Sequence, residues 1–477
     1  MANFNGSYTL KAKYPLGLLF PLLILISLFF SWVLNQNPIL ALAISLGLPL
    51  AIAAFVSVRY GFYLLVIGSV LSRFVIHLSW GNLKIEQLVF LIVILGLALK
   101  FLPKRNVNLR SIKIDQIGAL AIFWVLANVL SSLLYSPDKV ASLKICLWLG
   151  FSVGIYLLTK NIVGKKLSIQ KAVKAILIVG VLEAIYGLAV YSSFLLGKDI
   201  GGVQIDPVIS IPKVYGTIWE ANIFGIYLVS IALIIFNLLL SGEYAKFKVW
   251  LWGGFFLSLL GVIASFTRSA WMILVTFLFI SLLISIKFFL KRPGLLLSLI
   301  IFLSIFAILI NSPFSDFGSI GLETITTEGL GMKFFADYST ITFRLIRVSL
   351  ALDEWKTSPF LGLGTNSFGQ RHYDPSQDNA PDYLGVLFAQ NLYDAGIVGL
   401  GLILTLIILQ VRKGFKFSRL SSDPKHKTLM KSLLIGFLAL IALYQSTSAF
   451  WFGFNWIYLG LMSAIYDKGL QKSLVNE

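Results

Sequence analysis

The sequence predicts an all-α polytopic membrane protein with about 12 to 14 transmembrane helices and one large external loop, the lower count applying if a short early pair is re-entrant. Three observations carry this. Of 477 residues, 58% are hydrophobic and only 13% are charged, about half the charged share of a soluble domain. Apolar runs of membrane-crossing length recur along the chain without the period-2 alternation of a barrel, so helices must satisfy the backbone. The formal charge of +18 lies in short loops between the runs, where it reads as topology and not as a nucleic-acid surface.

The runs fall near residues 15–34, 39–57, 61–79, 84–102, 116–134, 141–159, 172–196, 217–240, 247–266, 269–288, 294–311, 385–411, 430–447 and 450–466. The first, Pro15–Leu34, is too long for a signal-peptide core and has no convincing cleavage site, so it is read as a helix. Under strict alternation, Lys11 and Lys13, the loop of Lys104 to Lys113, that of Lys160 to Lys174, Lys287 to Arg292, and Arg412 to Lys431 share one side. The positive-inside rule makes that side cytoplasmic, with both termini. Four regions result: N-terminal helices 1–171, central helices 172–311, an external loop 312–384 and C-terminal helices 385–477.

Some chemistry is excluded by residue type. The single cysteine, Cys146, allows no internal disulfide and no cysteine metal cluster. The histidines His77, His372 and His426 lack ligand spacing, and neither HExxH nor GxxxxGK[ST] occurs, so no metal and no cofactor is expected.

The remaining candidates gather on the outer side. Arg268 stands in ASFTRSAWMILV, between two apolar runs with no hydrophilic loop between them. Position alone leaves two readings: snorkelling to lipid phosphates, or an inward anion ligand. In the long loop, Ile341, Leu345, Val348, Leu352 and Trp355 form an apolar helical stripe. Arg344, Arg347, Ala351 and Glu354 form another face of the same helix, which is expected to lie at the membrane interface. SPFLGLGTNSF follows, with Pro359 stopping the helix and Gly362 and Gly364 permitting close backbone approach. Then comes the polar GQRHYDPSQDNAPDY, residues 369–383. Arginines beside a carboxylate or imidazole suit a phosphorylated lipid, because guanidinium grips phosphate bidentately and keeps its charge in a low-dielectric site. An attacking hydroxyl would need a nearby base.

Four stretches, in this order, resemble the O-antigen ligase/polymerase family of bacterial surface-polysaccharide enzymes. VLEAIYGLAVY is similar to the family's helix before the donor region. VYGTIWEANIFGIYL carries its G-T-x-x-x-x-N, SFTRSAWM its arginine turn, and TFRLIRVSLALDEWKTSPFLGLGTNSF its R…P-x-x-G-x-G…F signature. The resemblance implies a glycosyltransferase that uses glycan on undecaprenyl diphosphate at the outer face of the bacterial cytoplasmic membrane. It would invert the anomeric centre, without metal or nucleotide. By motif position, Arg268 and Arg344 are implied to bind the donor diphosphate, with Arg347 assisting or facing solvent. The acceptor is a glycan or a lipid, and other polysaccharide-assembly proteins are expected partners. The family places a histidine eleven residues before the first glycine of a G-x-x-G; here Gly385 stands eleven before Gly396. The base then falls to His372, Asp378 or Asp382, with His372 and Asp382 as the first candidates. An imidazole exchanges protons near neutrality, and Asp382 lies closest to the re-entering helix. This departure leaves polymerase and ligase both open. Asp394 is expected in a structural pairing or on the acceptor side, and Glu183 near the inner third of its span.

A second class, a lipid-linked oligosaccharide flippase or other polysaccharide transporter, is compatible with the span count. Transport favours polar groups spread through many spans and repeat symmetry, whereas these charges gather at one face. In cells lacking a flippase the lipid-linked sugar stays inside; in cells lacking a transferase it accumulates outside.

Overall fold

Long apolar runs without internal proline make helices here, and short polar residues punctuate them. The computed structural model describes residues 47, 49–78, 81–101, 113–205, 211–284, 339–372 and 384–475. In chain order these hold α1 (Val58–Gly68), β1 (Val75–Leu78), β2 (Gly81–Lys84), α2 (Ile85–Phe101), α3 (Gln116–Tyr135), α4 (Lys139–Ile162) and α5 (Ile169–Leu195). There follow β3 (Val203–Ile205), β4 (Pro212–Val214), α6 (Ala221–Ser241), α7 (Lys248–Ala264) and α8 (Arg268–Ile284). The last are α9 (Ser339–Trp355), α10 (Ser367–Arg371), α11 (Leu387–Leu420), α12 (Pro424–Leu443) and α13 (Gly453–Val475). Among the described residues, seven helices are long and apolar enough to cross a membrane. The protein is an all-α polytopic membrane protein; its only sheets among the described residues are two small antiparallel hairpins, β1–β2 and β3–β4. The spans expected at 15–34 and 294–311 lie outside the described residues.

Caps explain several boundaries. The Asp115, Asp138 and Ser168 side chains accept from Gly118, Ala141 and Lys171 N–H groups at the starts of α3, α4 and α5, satisfying donors a helix leaves open. Asp423, followed by Pro424 at the first helical position, does the same for α12. The span expected over 61–79 is corrected: helix stops at Gly68, and Val75–Leu78 pairs with Gly81–Lys84 as a hairpin. The β-branched Val75 and Ile76 prefer that extended backbone. At the other extreme, α11 runs past its apolar segment through KGFKFSRL to Leu420, because lysine and arginine are good helix formers whose heads reach water.

α6 is the axis of the bundle: 89% of its apolar window is buried. It packs on α5, α7, α8 and α12. A Cβ on Gly180 of α5 would lie 2.6 Å from Ile231, and one on Gly187 2.5 Å from Phe224, the close approach that small residues give helices in lipid.

The two ends differ in character. At one, which we call the loop end, the Thr267 hydroxyl donates to Ala221 O at 3.3 Å, Ser446 Oγ donates to Ser269 Oγ at 2.9 Å, and Ser448 N–H donates to Gly385 O at 2.8 Å. At the other, the basic end, Asp115 meets Lys160 and Lys413 at 3.3 Å each and accepts from the Tyr156 hydroxyl at 2.8 Å. Burial alone raises the Asp115 pKa, but the Gly118 N–H, the two lysines and the Tyr156 hydroxyl outweigh it and hold the carboxyl below its ordinary value. A depressed carboxyl stabilises the fold above its unfolded pKa and loses that effect as pH falls through the folded value. Asp115→Asn is therefore expected to cost about 3 kcal/mol at neutral pH. The thermal midpoints of variant and parent in detergent should converge as pH drops below about 4. A constant gap across pH would disprove the ionic account.

Glu183 is also repositioned. Its carboxylate accepts from Thr217 N–H at 2.8 Å and from the Thr217 hydroxyl at 2.6 Å, in the G-T turn that precedes α6. It therefore belongs to the loop-end half of α5, not to the inner third, and its role is to hold that turn.

Candidate active site

The site is built on a helix that breaks. Inside α11, Ala395 (φ −132°, ψ 18°) and Gly396 (φ 64°, ψ −162°) leave the helical region. A break at this depth strands carbonyls and N–H groups that lipid cannot satisfy. The SPFLGLGTNSF segment satisfies them. Leu363 N–H donates to Tyr393 O at 2.7 Å and Gly364 N–H to Asp394 O at 3.1 Å. In return, Ile397 and Val398 N–H groups donate to Pro359 O at 2.9 Å and Phe360 O at 3.2 Å. Ser131 Oγ adds a bond of 2.7 Å to Asp394 O.

Two glycines make this exchange possible. The conformation of Gly396 is one essentially reserved for glycine, and a Cβ there would sit 2.2 Å from Phe360 O. Gly362, at φ +71°, would place a Cβ 2.5 Å from both Gly396 N and Tyr393 O. Gly396→Ala is expected to destabilise the protein by at least about 3 kcal/mol, the strain and the backbone collision adding. A thermal midpoint for Gly396→Ala equal to that of the parent would show that the break is held some other way. Asp394 is 6% exposed, and its Oδ1 accepts from Asn366 N–H at 3.0 Å. This bond ties the carboxylate to the glycine segment.

On this platform lies α9, packed against α11. The expected helix is present, but its apolar stripe divides. Val348 packs with Ala351, Leu363, Phe368, Leu384 and Tyr393, whereas Leu345 is 64% and Leu352 38% exposed. Arg344 and Arg347 are half-buried and both engaged by other groups. Ala351, 2% exposed, is small enough for α9 to approach α11 on its mixed Arg–Ala–Glu side, and the leucines on the opposite side suit lipid.

At the end of α9 a carboxylate joins two side chains far apart in sequence. His372 Nε2 lies 2.7 Å from Glu354 Oε1, and the Tyr393 hydroxyl donates to Glu354 Oε2. A carboxylate can only accept, so Nε2 carries the hydrogen; in the neutral imidazole the lone pair then lies on Nδ1. Phe368 fixes the ring plane, with centroids 4.5 Å from His372 and 5.4 Å from Tyr393. Arg371, beside His372, donates to Tyr135 O at 3.0 Å, tying the segment to α3. Ser136 Oγ and Asp138 N–H both donate to Gln370 Oε1, at 2.9 and 3.1 Å.

Arg268 opens α8. Its turn is held by Phe266 in the left-handed region (φ 47°) and by Trp271, whose Nε1 donates to Val262 O at 2.9 Å. The residue is half-buried and engaged. Contact between Ser269 and Ser446, and between Ser448 and Gly385, puts this turn against the segments flanking the start of α11. Of the expected site residues, His372 therefore meets α9, which carries Arg344 and Arg347, through Glu354. Arg268 is linked to the segment before α11 through Ser446 and Ser448. Asp382 lies outside the described residues, as do Asp374 and Asp378. Gly385, where the family's histidine was sought, has φ +76°, a conformation that would strain any other side chain. Glu354 and Tyr393 as partners of His372 were missed; they lie 18 residues before and 21 after it, and no spacing rule links three groups brought together by tertiary packing. No group of three or more potential metal ligands forms among the described residues.

This architecture defines a polytopic helical membrane protein whose long interhelical segment plugs a broken helix and presents charged side chains at one end of the bundle. Residues 253–409, from within α7 to within α11, match the family model described as O-antigen ligase, and this match supports a membrane glycosyltransferase-like role. The matched stretch takes in the Arg268 turn, α9, the glycine loop and the break; the VLEAIYG and G-T-x-x-x-x-N stretches lie ahead of it. No curated protein matches the chain.

Proposed function

We propose that the protein transfers or polymerises undecaprenyl-diphosphate-linked glycan onto a glycan or lipid acceptor, inverting and without metal, at the outer face of the cytoplasmic membrane. The observation that carries this reading is the His372–Glu354 pair on the helix that bears Arg344 and Arg347. Arg347 and Glu354 are two turns apart, about 10 Å along the axis, so a diphosphate at the arginines and a sugar carbon near the imidazole fit one helix face.

In the step proposed, the acceptor hydroxyl oxygen attacks the anomeric carbon from the side opposite the diphosphate. The carbon–oxygen bond to the diphosphate breaks and its electron pair leaves on the phosphate oxygen, where the arginines balance the charge. The hydroxyl proton passes to His372 Nδ1. Glu354, held by the Tyr393 hydroxyl, orients the ring and stabilises the imidazolium that forms. Arg268 completes the grip on the donor. The basic end faces the cytoplasm in this reading, as the positive-inside rule requires.

Gel analysis of surface glycan from a deletion strain tests it and separates the two modes. Single repeats on the final anchor mean a polymerase, and long chains left on the carrier lipid mean a ligase. Unaltered surface glycan would remove the proposal.

A further inference from the structure

At the basic end, away from the candidate active site, α5, α6, α7 and α12 enclose a crevice of 460 Å³. Its depth is apolar, with Val173, Leu177, Leu238 and Leu251 among its walls, and its rim carries Gln170, Lys171 and Lys174. Lys174 Nζ lies 5.7 Å from the Phe247 ring centroid, and Trp250, 40% exposed, lines the same mouth.

One lining atom calls for a ligand. The Tyr244 hydroxyl is buried and makes no hydrogen bond among the described residues. Burial, with the carboxylates of Asp423 and Glu243 adding to it, pushes this phenol up to about 12, so it remains an O–H donor. A buried donor left unmade is costly, and a turn of the ring toward the crevice would let an acceptor there relieve it. Asp423 does not fill that need, since its side chain is taken by the His426 ring at 2.6 Å and by the Lys425 N–H at 3.0 Å.

We propose that this crevice binds an anionic diacyl glycerophospholipid of the leaflet at the basic end. Its phosphate would lie between Lys171 and Lys174, one acyl chain would run along Leu177 and Leu251, and an ester or phosphate oxygen would accept from Tyr244. Charge complementarity selects this occupant: the two lysines stand one helical turn apart at the mouth of an apolar slot, and aromatic side chains flank them as at a membrane interface. A free anion leaves the apolar walls unused, and a neutral lipid leaves the lysines unanswered. The site is separate from the transfer chemistry, and its test does not depend on that reading.

The full chain in nanodiscs would be irradiated with photoactivatable phosphatidylglycerol or with phosphatidylcholine bearing the same chains, and the labelled peptides mapped. We expect phosphatidylglycerol to label residues 170–178 and 244–251 in preference to phosphatidylcholine. The preference should fall about fivefold for each lysine removed in Lys171→Gln and Lys174→Gln. Tyr244→Phe should weaken labelling by both lipids, and Leu251→Trp, which fills the slot, should abolish it while labelling elsewhere persists. Equal labelling by the two lipids in the parent protein overturns the proposal, as does a preference untouched by the double lysine variant. Loss of labelling on adding soluble glycerol phosphate would assign the site to a free phosphate and also overturns it.

Discussion

Replacing Arg344 or Arg268 with alanine is expected to lower glycan transfer by about a hundredfold or more, as removal of one preorganised charge-stabilising donor does elsewhere. A diphosphate that departs with its bonding electrons needs positive charge more than it needs a proton. Guanidinium supplies that charge in a fork matched to two oxygens, and it stays ionised in a site screened from water. The half-buried setting of both residues favours this over a lipid-facing role. Lysine should rescue either position poorly, since a point charge on a flexible stem cannot reproduce the fork. Arg347→Ala should cost less, because in the proposed site Arg344 and Arg268 would still grip the diphosphate. The measurement is glycan elongation or attachment in cells, with protein levels in the membrane as the control. Normal glycan in both Arg268→Ala and Arg344→Ala at parental protein levels would end the donor-binding assignment.

What was legible in the sequence divides by length scale. Helices α2 to α8 fall where apolar runs predict them, because covering a run of that length in lipid leaves the backbone one solution. The helix over 339–355 was legible from periodicity, yet which side faces inward was not. Periodicity reports two faces and cannot say whether lipid, water or protein covers each, and here lipid suits the leucines. The hairpin at Val75–Lys84 hid inside an apolar run, since a short apolar stretch reads alike as strand or helix. Pro359, Gly362 and Gly364 were visible as permissive residues, but their partner was not. Only the tertiary fold sets them against Tyr393 to Val398, where the loop completes the hydrogen bonding of a helix that Gly396 interrupts. The same holds for Glu354. In sequence it is one acid on a helix face, and the fold turns it into the link between His372 and Tyr393.

That link yields the second large effect. His372→Ala is expected to reduce the rate by about 10² to 10⁴, the range for a positioned general base, with little change in apparent donor affinity. Glu354→Gln should produce a smaller loss, carried by kcat and not KM, because an amide can still hold the ring but no longer balances the imidazolium charge. Tyr393→Phe removes only the hydroxyl that steadies Glu354 and should cost about tenfold or less. A merely structural role for His372 predicts a different pattern: loss of folded protein, and no recovery by a small molecule. Adding free imidazole to purified His372→Ala should therefore restore part of the transfer rate if the ring acts as base. Asp382 provides the opposing outcome. If His372→Ala keeps the parental rate while Asp382→Asn loses it, the proton goes to the carboxylate before α11, and the Glu354 pair is reduced to a brace for the glycine loop.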